Sequence, residues 1–258
     1  MRDMDLALGE RAFLITGGTD GLGLALARRL VSEGARVAVC GRDATRLARA
    51  QELLGARALC VEADVTRIGD LEEFVAAARD RFGRLDGVVN NAGRSAGSLV
   101  ASSSDDQWRE DYELKVLAAL RMARATVDDL VATGGSILNV LAIMARTPGV
   151  GSTPTSASRA AGLALTKALA GEMGPRGVRV NAVLIGLIES GQWVRRAHDA
   201  GVDLDTFYAN LATSSSVPLG RVGRAEEFAD LASFLLSARA SYVTGVGVSL
   251  DGGLSPVI

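Results

Sequence analysis

A glycine-rich turn opens the part of the chain that is equipped for chemistry. It reads Thr16-Gly17-Gly18-Thr19-Asp20-Gly21-Leu22-Gly23 and stands between an apolar run and a helical pattern. Glycines let a backbone turn tightly and approach a pyrophosphate, and the N-terminus of the helix that follows offers free N–H groups and a positive dipole end. The turn therefore predicts a dinucleotide site, with these candidate contacts: Gly17, Thr19, Asp20, Gly21 and Leu22.

The choice of dinucleotide is expected to depend on the end of the second apolar run, which reads Gly41-Arg42. An acidic residue there would hydrogen-bond a ribose 2′-hydroxyl and select NAD. A guanidinium instead pairs well with a 2′-phosphate, so Arg42 favours NADP(H), with NAD(H) as the alternative. The competing interpretation is that Arg42 is only the solvated start of the next helix.

Apolar runs and helical patterns alternate along the chain and must position these residues. The runs lie at residues 12–16, 37–40, 59–61, 85–90, 136–141, 178–185 and 246–250. Between them, apolar residues recur at spacings of three and four, as in Leu71, Phe74, Val75 and Ala78. This alternation predicts an α/β fold: a doubly wound, Rossmann-type parallel sheet between two helical layers. No Pro/Gly-rich linker divides the sequence, so a single domain over residues 1–258 is expected.

The longest stretch without a clear pattern is predicted to form a substrate lid within about residues 187–218. It contains Trp193, which either covers a substrate or only packs the lid down. The pair Arg195-Arg196 is interpreted as a solvated face that could alternatively meet an anionic substrate. His198 is the single histidine of the chain and is expected to be solvated.

Several segments beyond the glycine turn resemble signatures of the classical short-chain dehydrogenases/reductases, in the family's order and over essentially the whole chain. They are Asp64-Val65, Asn90-Asn91-Ala92-Gly93, the segment 181–186 with Ile185 in place of a proline, Pro218-Leu219-Gly220-Arg221 and Asp251-Gly252-Gly253. The resemblance implies further cofactor contacts: Asp64, Val65, Asn91, Ala92, Gly93, Gly186 and Ile188. Asp20 points the other way on cofactor choice, because NADP-binding members often carry a basic residue in the turn.

The resemblance fails at the four catalytic positions of the family, which are Asn, Ser, Tyr and Lys. The segment Asn139-Val140-Leu141-Ala142 places Ala142 at the serine. Counting back from residues 165–170 places Thr155 at the tyrosine and Arg159 at the lysine, and counting from Trp108 places Lys115 at the asparagine.

The three tyrosines, Tyr112, Tyr208 and Tyr242, do not have the spacing to Arg159 that the family's phenol-based proton transfer requires. We expect Arg159 to hold the nicotinamide ribose. Lys115 is expected to supply a mobile proton or electrostatic stabilisation, because neighbouring positive charge lowers a lysine pKa. The alternative is that Lys115 faces solvent or pairs with Glu113 or Asp111. Thr155 alone is far too weak an acid.

These residues predict an oxidoreductase that reduces a carbonyl or related group on a small-molecule substrate with a non-standard catalytic set. The alternative is a catalytically silent or non-redox nucleotide-binding protein.

The composition of the chain limits the classes of partner and the location that can be expected. The net charge of −2 implies no general attraction to nucleic acid, and no apolar run approaches a membrane span. Residues 1–10 carry Arg2, Asp3 and Asp5 and do not resemble a secretory signal, so a cytoplasmic protein is expected. Cys40 and Cys60 have no metal-ligand spacing and are predicted to be buried thiols, and no metal site is expected. Extra apolar residues on the fourth and fifth predicted helices favour a homodimer or homotetramer: Leu114, Leu117, Leu120, Leu163 and Leu165.

Overall fold

The computed structural model describes residues 5–258, so Arg2 and Asp3 of the charged N-terminal segment lie outside the described residues. Seven strands form one sheet in the order β3-β2-β1-β4-β5-β6-β7, and every neighbouring pair is parallel. The strands are β1 Ala12–Thr16, β2 Arg36–Gly41, β3 Ala58–Glu62, β4 Gly87–Asn90, β5 Ser136–Ala142, β6 Arg179–Ile185 and β7 Gly247–Leu250. The fold is the predicted doubly wound, Rossmann-type α/β arrangement.

Helices cover both faces of the sheet and give it three layers. One face packs against α1, α2 and α9, and the opposite face packs against α3, α5 and α6. The helices are α1 Gly21–Ser32, α2 Ala44–Leu54, α3 Ile68–Phe82, α4 Asp105–Tyr112, α5 Ala118–Thr133, α6 Thr155–Met173, α7 Gly191–Asp199, α8 Leu204–Ser214 and α9 Ala225–Leu236. Within residues 5–258, no helix has both the length and the apolar character needed to cross a membrane.

Strand β1 explains why the apolar runs are continuous rather than alternating. Phe13 and Ile15 point into the core beneath α1, while Ala12 and Leu14 point into the core beneath α3. All four are completely buried. A parallel strand covered by helices on both sides must be apolar at every position, which is the pattern that the sequence displays.

Two predictions about buried and patternless residues need correction. Cys40 is buried, but Cys60 is only partly buried, because its strand β3 lies at the edge of the sheet with a neighbour on one side only. The stretch 189–218 is largely helical, since it forms α7 and α8. Helix α7 is short and buries only Ala197, but the sequence of α8 does carry apolar residues at spacings of three and four: Leu204, Phe207, Tyr208, Leu211 and Ala212.

The sheet brings the candidate functional residues together at the carboxyl ends of its strands. Strands β1 and β4 are neighbours, although the chain proceeds from β1 towards β2 and β3 on one side and from β4 towards β7 on the other. Such a reversal leaves a crevice at the carboxyl ends of the two strands, where doubly wound folds bind their ligands. The turns after β1 and β4 both open into this crevice.

Candidate active site

The glycine turn is shaped by close contacts that only glycine permits. Gly17 and Gly21 have φ angles of 64° and 52°, a region that residues with a Cβ adopt rarely. A Cβ on Gly23 would lie 2.4 Å from the carbonyl oxygen of Gly17, and a Cβ on Gly18 would lie 2.7 Å from the side chain of Val39. The first turn of α1 therefore packs directly against the end of β1, and its N-terminus faces the crevice.

Asn91 and Thr16 tie this turn to the end of β4. The Asn91 side-chain amide donates to the carbonyl oxygens of Thr16 and Gly17 at 2.9 and 3.0 Å. In return, the backbone N–H groups of Asn91 and Ala92 donate to Thr16 Oγ1 at 3.0 and 3.1 Å. These bonds fix the spacing between the two loops that border the crevice.

A cleft of about 680 Å³ runs along the carboxyl ends of the strands. Every residue that the sequence nominates for cofactor binding lines it: Gly17, Thr19, Asp20, Gly21, Leu22, Arg42, Asp64, Val65, Asn91, Ala92, Gly93, Arg159, Gly186 and Ile188. Thr155 and Ala142 line it as well. The structure therefore gathers residues from the ends of at least five strands into one continuous surface.

The end of the cleft near β2 carries two arginines rather than one. Arg42 is mostly exposed, and its Nη1 lies 3.4 Å from Asp64 Oδ2. Burial by itself would raise the pKa of Asp64, but hydrogen bonds from Thr66 and the proximity of Arg42 lower it overall. Arg46 also lines the cleft and was not nominated from the sequence. Arg46 lies in the first turn of α2, whereas Arg42 precedes the helix, so their spacing in the sequence did not indicate a common face.

Arg46 gives Asp20 a cationic partner. Arg46 Nη1 lies 3.5 Å from Asp20 Oδ2, while Asp20 Oδ1 accepts a hydrogen bond from the N–H of Gly21 at 2.8 Å. The Asp20 carboxylate, which would repel the 2′-phosphate of NADP(H), therefore interacts with Arg46 and with the first N–H group of α1.

Lys115 is buried, and it lies in an irregular turn of the helix. Residues Glu113–Leu117 form a π turn between α4 and α5, and π turns occur frequently at functional sites. The Lys115 ammonium forms an ion pair with Asp111, four residues earlier, and its Nζ donates to Thr155 Oγ1 at 3.0 Å. Glu113, the other anticipated partner, pairs with Arg121 instead. Lys115 therefore faces neither solvent nor the cleft directly, and Thr155 lies between it and the cleft.

Burial lowers the pKa of Lys115 to about 8. The positive charges of Arg159 and Arg94 act in the same direction, whereas Asp111 opposes them. An amine with this pKa exchanges protons readily near neutral pH, which an ordinary lysine does not.

Thr155 presents its hydroxyl in an unusual way. Its Oγ1 accepts one hydrogen bond from the backbone N–H of Ala96 at 2.9 Å and a second from Lys115 Nζ at 3.0 Å. A threonine hydroxyl has two acceptor lone pairs and one proton. With both lone pairs engaged, the hydroxyl proton of Thr155 is directed to a third partner, and the cleft is where that partner can stand.

Arg159 holds its guanidinium against two backbone segments of the cleft. Its Nη1 donates to the carbonyl oxygen of Val140 at 2.6 Å, and its Nη2 would lie 3.0 Å from a Cβ on Gly93. A side chain at position 93 would therefore crowd the guanidinium. Burial lowers the pKa of Arg159 to about 10, so it remains a cation at neutral pH.

The remaining candidate residues differ in whether they line the cleft. Tyr112, Tyr208 and Tyr242 do not line the cleft, nor does His198, whose side chain is 89% exposed. Trp193 lines it, and the guanidinium of Arg196 lies 4.8 Å from the centre of the indole ring. Across the described part of the chain, no group of three His, Cys, Asp or Glu residues is placed to hold a metal ion.

Sequence comparison finds relatives over nearly the whole chain. A family model described as enoyl-(acyl carrier protein) reductase matches residues 17–255. A granaticin polyketide synthase putative ketoacyl reductase from Streptomyces violaceoruber is 34% identical over 252 residues, which span 93% of this chain and 92% of that protein.

Solved structures agree with this relationship. A short chain oxidoreductase from Pseudomonas aeruginosa PAO1, described as containing an atypical catalytic center, is 36% identical in its apo form, with a TM-score of 0.93 over 97% of this chain and 99% of its own. Its NADPH-bound form has a TM-score of 0.92 over 96% and 98% of the two chains. L-Sorbose reductase from Gluconobacter frateurii, complexed with NADPH and L-sorbose, is 32% identical, with a TM-score of 0.93 over 99% and 100%.

Proposed function

Because the chain belongs to the short-chain dehydrogenase/reductase family, we propose that it is an NADP(H)-dependent reductase of a carbonyl or related group, with Lys115, Thr155 and Arg159 as its catalytic set. The observation that carries this proposal is the contact between Lys115 Nζ and Thr155 Oγ1 at 3.0 Å, at the wall of a cleft that Arg159 also lines.

The cleft is suited to a dinucleotide that carries a 2′-phosphate. The glycine turn and the N-terminus of α1 provide a cradle for a pyrophosphate, which a Cβ on Gly23 would disturb. Arg42 and Arg46 stand at the end of β2, where the 2′-phosphate would bind. Two structural neighbours of this chain bind NADPH, which supports the same cofactor here. NAD(H) lacks the 2′-phosphate that would use the two arginines.

When bound, the reduced nicotinamide would supply the hydride that adds to the carbonyl carbon of the substrate. Thr155 then donates its hydroxyl proton to the carbonyl oxygen and takes a proton from the Lys115 ammonium in the same step. Lys115 is left as a neutral amine, which a pKa of about 8 permits. It regains a proton from water in the cleft by way of the Thr155 hydroxyl once the product has left. This relay removes the objection that a threonine alone is too weak an acid, because its oxygen is never left as a free alkoxide.

Arg159 contributes charge rather than a proton. A guanidinium does not release its proton near neutral pH, but it can hydrogen-bond ribose hydroxyls and stabilise negative charge that develops on an oxygen. Its fixed position over Gly93 places that charge at the wall of the cleft. The segment 187–218, which contributes Trp193 and Arg196 to the cleft, is proposed to cover the substrate.

The test is a screen for NADPH oxidation with carbonyl, imine and activated-alkene substrates. Lys115→Met and Thr155→Val are expected to lower kcat by roughly 10²–10⁴-fold while NADPH affinity stays nearly unchanged, because a proton donor acts in the transition state. Lys167→Met is the matched control, since Lys167 is exposed and is the only other lysine of the chain. Wild-type turnover in Lys115→Met would refute the relay. NADPH binding without oxidation of any substrate would favour the silent nucleotide-binding alternative.

A further inference from the structure

Asp111 is a buried carboxylate that the proposed proton path does not use. Its side chain is 1% exposed, as is that of Lys115, and it does not line the cleft. One carboxylate oxygen pairs with the Lys115 ammonium, and the other accepts a hydrogen bond from Ser158 Oγ at 2.5 Å. Ser158 belongs to α6, so Asp111 connects the helix that carries Lys115 to the helix that carries Thr155 and Arg159.

The charges around Lys115 are unbalanced without Asp111. Arg159 on α6 and Arg94 on the loop after β4 both disfavour a protonated lysine, and burial does so more strongly. Asp111 on α4, whose carboxylate pairs directly with the ammonium, favours the protonated form. The other groups in contact with Lys115 Nζ or Asp111, Thr155 and Ser158, are neutral hydroxyls.

We propose that Asp111 is a positioning residue of this site: it holds the Lys115 ammonium, in its charged form, against Thr155 Oγ1, and Ser158 fixes the carboxylate for that purpose. The catalytic meaning of this inference rests on the proposed function, but the placement itself can be tested without a substrate. The competing role is purely structural, a polar link that joins α4 to α6 and leaves the protonation of Lys115 unaffected.

The chain provides a matched control in Asp86. Its side chain is also 1% exposed, and it is also paired with a cation, Arg84, at 2.5 Å. In addition, it accepts a hydrogen bond from the backbone N–H of Ala12 at 2.9 Å, at the opposite end of β1 from the cleft. Asp86→Asn therefore removes a buried, paired carboxylate without touching the site.

The first experiment titrates Lys115 directly. Only two lysines occur in the chain, so protein labelled with ¹³Cε-lysine gives two signals, and Lys115→Met identifies the one from Lys115. In the wild type this signal is expected to titrate with a pKa of about 8. Asp111→Asn is expected to lower the titration midpoint by roughly 1–3 pH units, as loss of an adjacent opposite charge does. Asp86→Asn is expected to leave it unchanged.

An unchanged Lys115 midpoint in folded Asp111→Asn would overturn the proposal in favour of the structural link. If the asparagine variant does not fold, Asp111→Glu decides, because it keeps the charge and moves the carboxylate by one methylene. A turnover at least about tenfold below the wild type, with the Lys115 midpoint still near 8, supports positioning. Wild-type turnover in Asp111→Glu overturns it.

A pH profile separates this inference from the proposed function. In Asp111→Asn, the loss of reduction rate at high pH is expected to begin at lower pH than in the wild type, with NADPH affinity unchanged. If Lys115→Met abolishes turnover but Asp111→Asn keeps both the wild-type profile and the wild-type midpoint, only the role of Asp111 fails. If Lys115→Met is fully active, the proton path fails, while the Lys115 titration still reports on Asp111.

Discussion

Replacement of Arg42 by alanine tests the cofactor assignment most directly. A hydrogen bond to a charged group contributes about 1.5–3 kcal/mol, which corresponds to roughly 10–150-fold in affinity. The Arg42 side chain is 70% exposed, and Asp64 lies 3.4 Å from it and would compete with a 2′-phosphate. Both features reduce the net gain, so we expect the lower end: about 1.5 kcal/mol, or roughly tenfold, lost from NADPH and nothing from NADH.

Fluorescence titration or calorimetry with NADPH and NADH gives the two affinities for each variant. Arg46→Ala is expected to weaken NADPH by a similar or smaller factor, because Arg46 must first loosen its contacts with Asp20 and Asp43. Arg49→Ala is the control, since Arg49 is exposed on α2 and does not line the cleft. Equal wild-type affinity for the two cofactors, or an equal loss for both in Arg42→Ala, would refute the reasoning.

Two further predictions concern stability and assembly. Gly23→Ala is expected to lower the free energy of unfolding, measured with denaturant, by roughly 1–3 kcal/mol, because its Cβ would lie 2.4 Å from a carbonyl oxygen. Gly171→Ala is the control: its Cβ would meet open space, so it should raise the free energy of unfolding by roughly 0.5–1 kcal/mol. The opposite order would contradict the packing argument. Light scattering should report a homodimer or homotetramer. Of the five leucines on which this expectation rests, Leu117 is exposed, at 38%. A monomer at micromolar concentration would refute the expectation.

The fold and the residues that line the cleft could be predicted from the sequence because their signals are local. A buried parallel strand must be apolar at each position, and a helix covering it must repeat its apolar residues at three and four, whatever lies elsewhere in the chain. The glycine turn is likewise recognisable within eight residues. Thr155 and Arg159 were located by counting along one helix, and both line the cleft. The same local reasoning missed α7, a short helix that buries only Ala197. It also missed α8, although Leu204, Phe207 and Leu211 have helical spacing there.

Only the tertiary structure decided which side chains of the candidate site contact each other. The sequence identified Lys115 as a candidate but left open whether it faces solvent, an acid or the cleft. The structure answers this question: Lys115 is buried, pairs with Asp111 and contacts Thr155, 40 residues away. The bond between Ser158 and Asp111 spans 47 residues. Pairings of this kind depend on how α4 and α6 pack against each other. Side-chain periodicity within either helix does not indicate which polar atoms will face each other once both are buried.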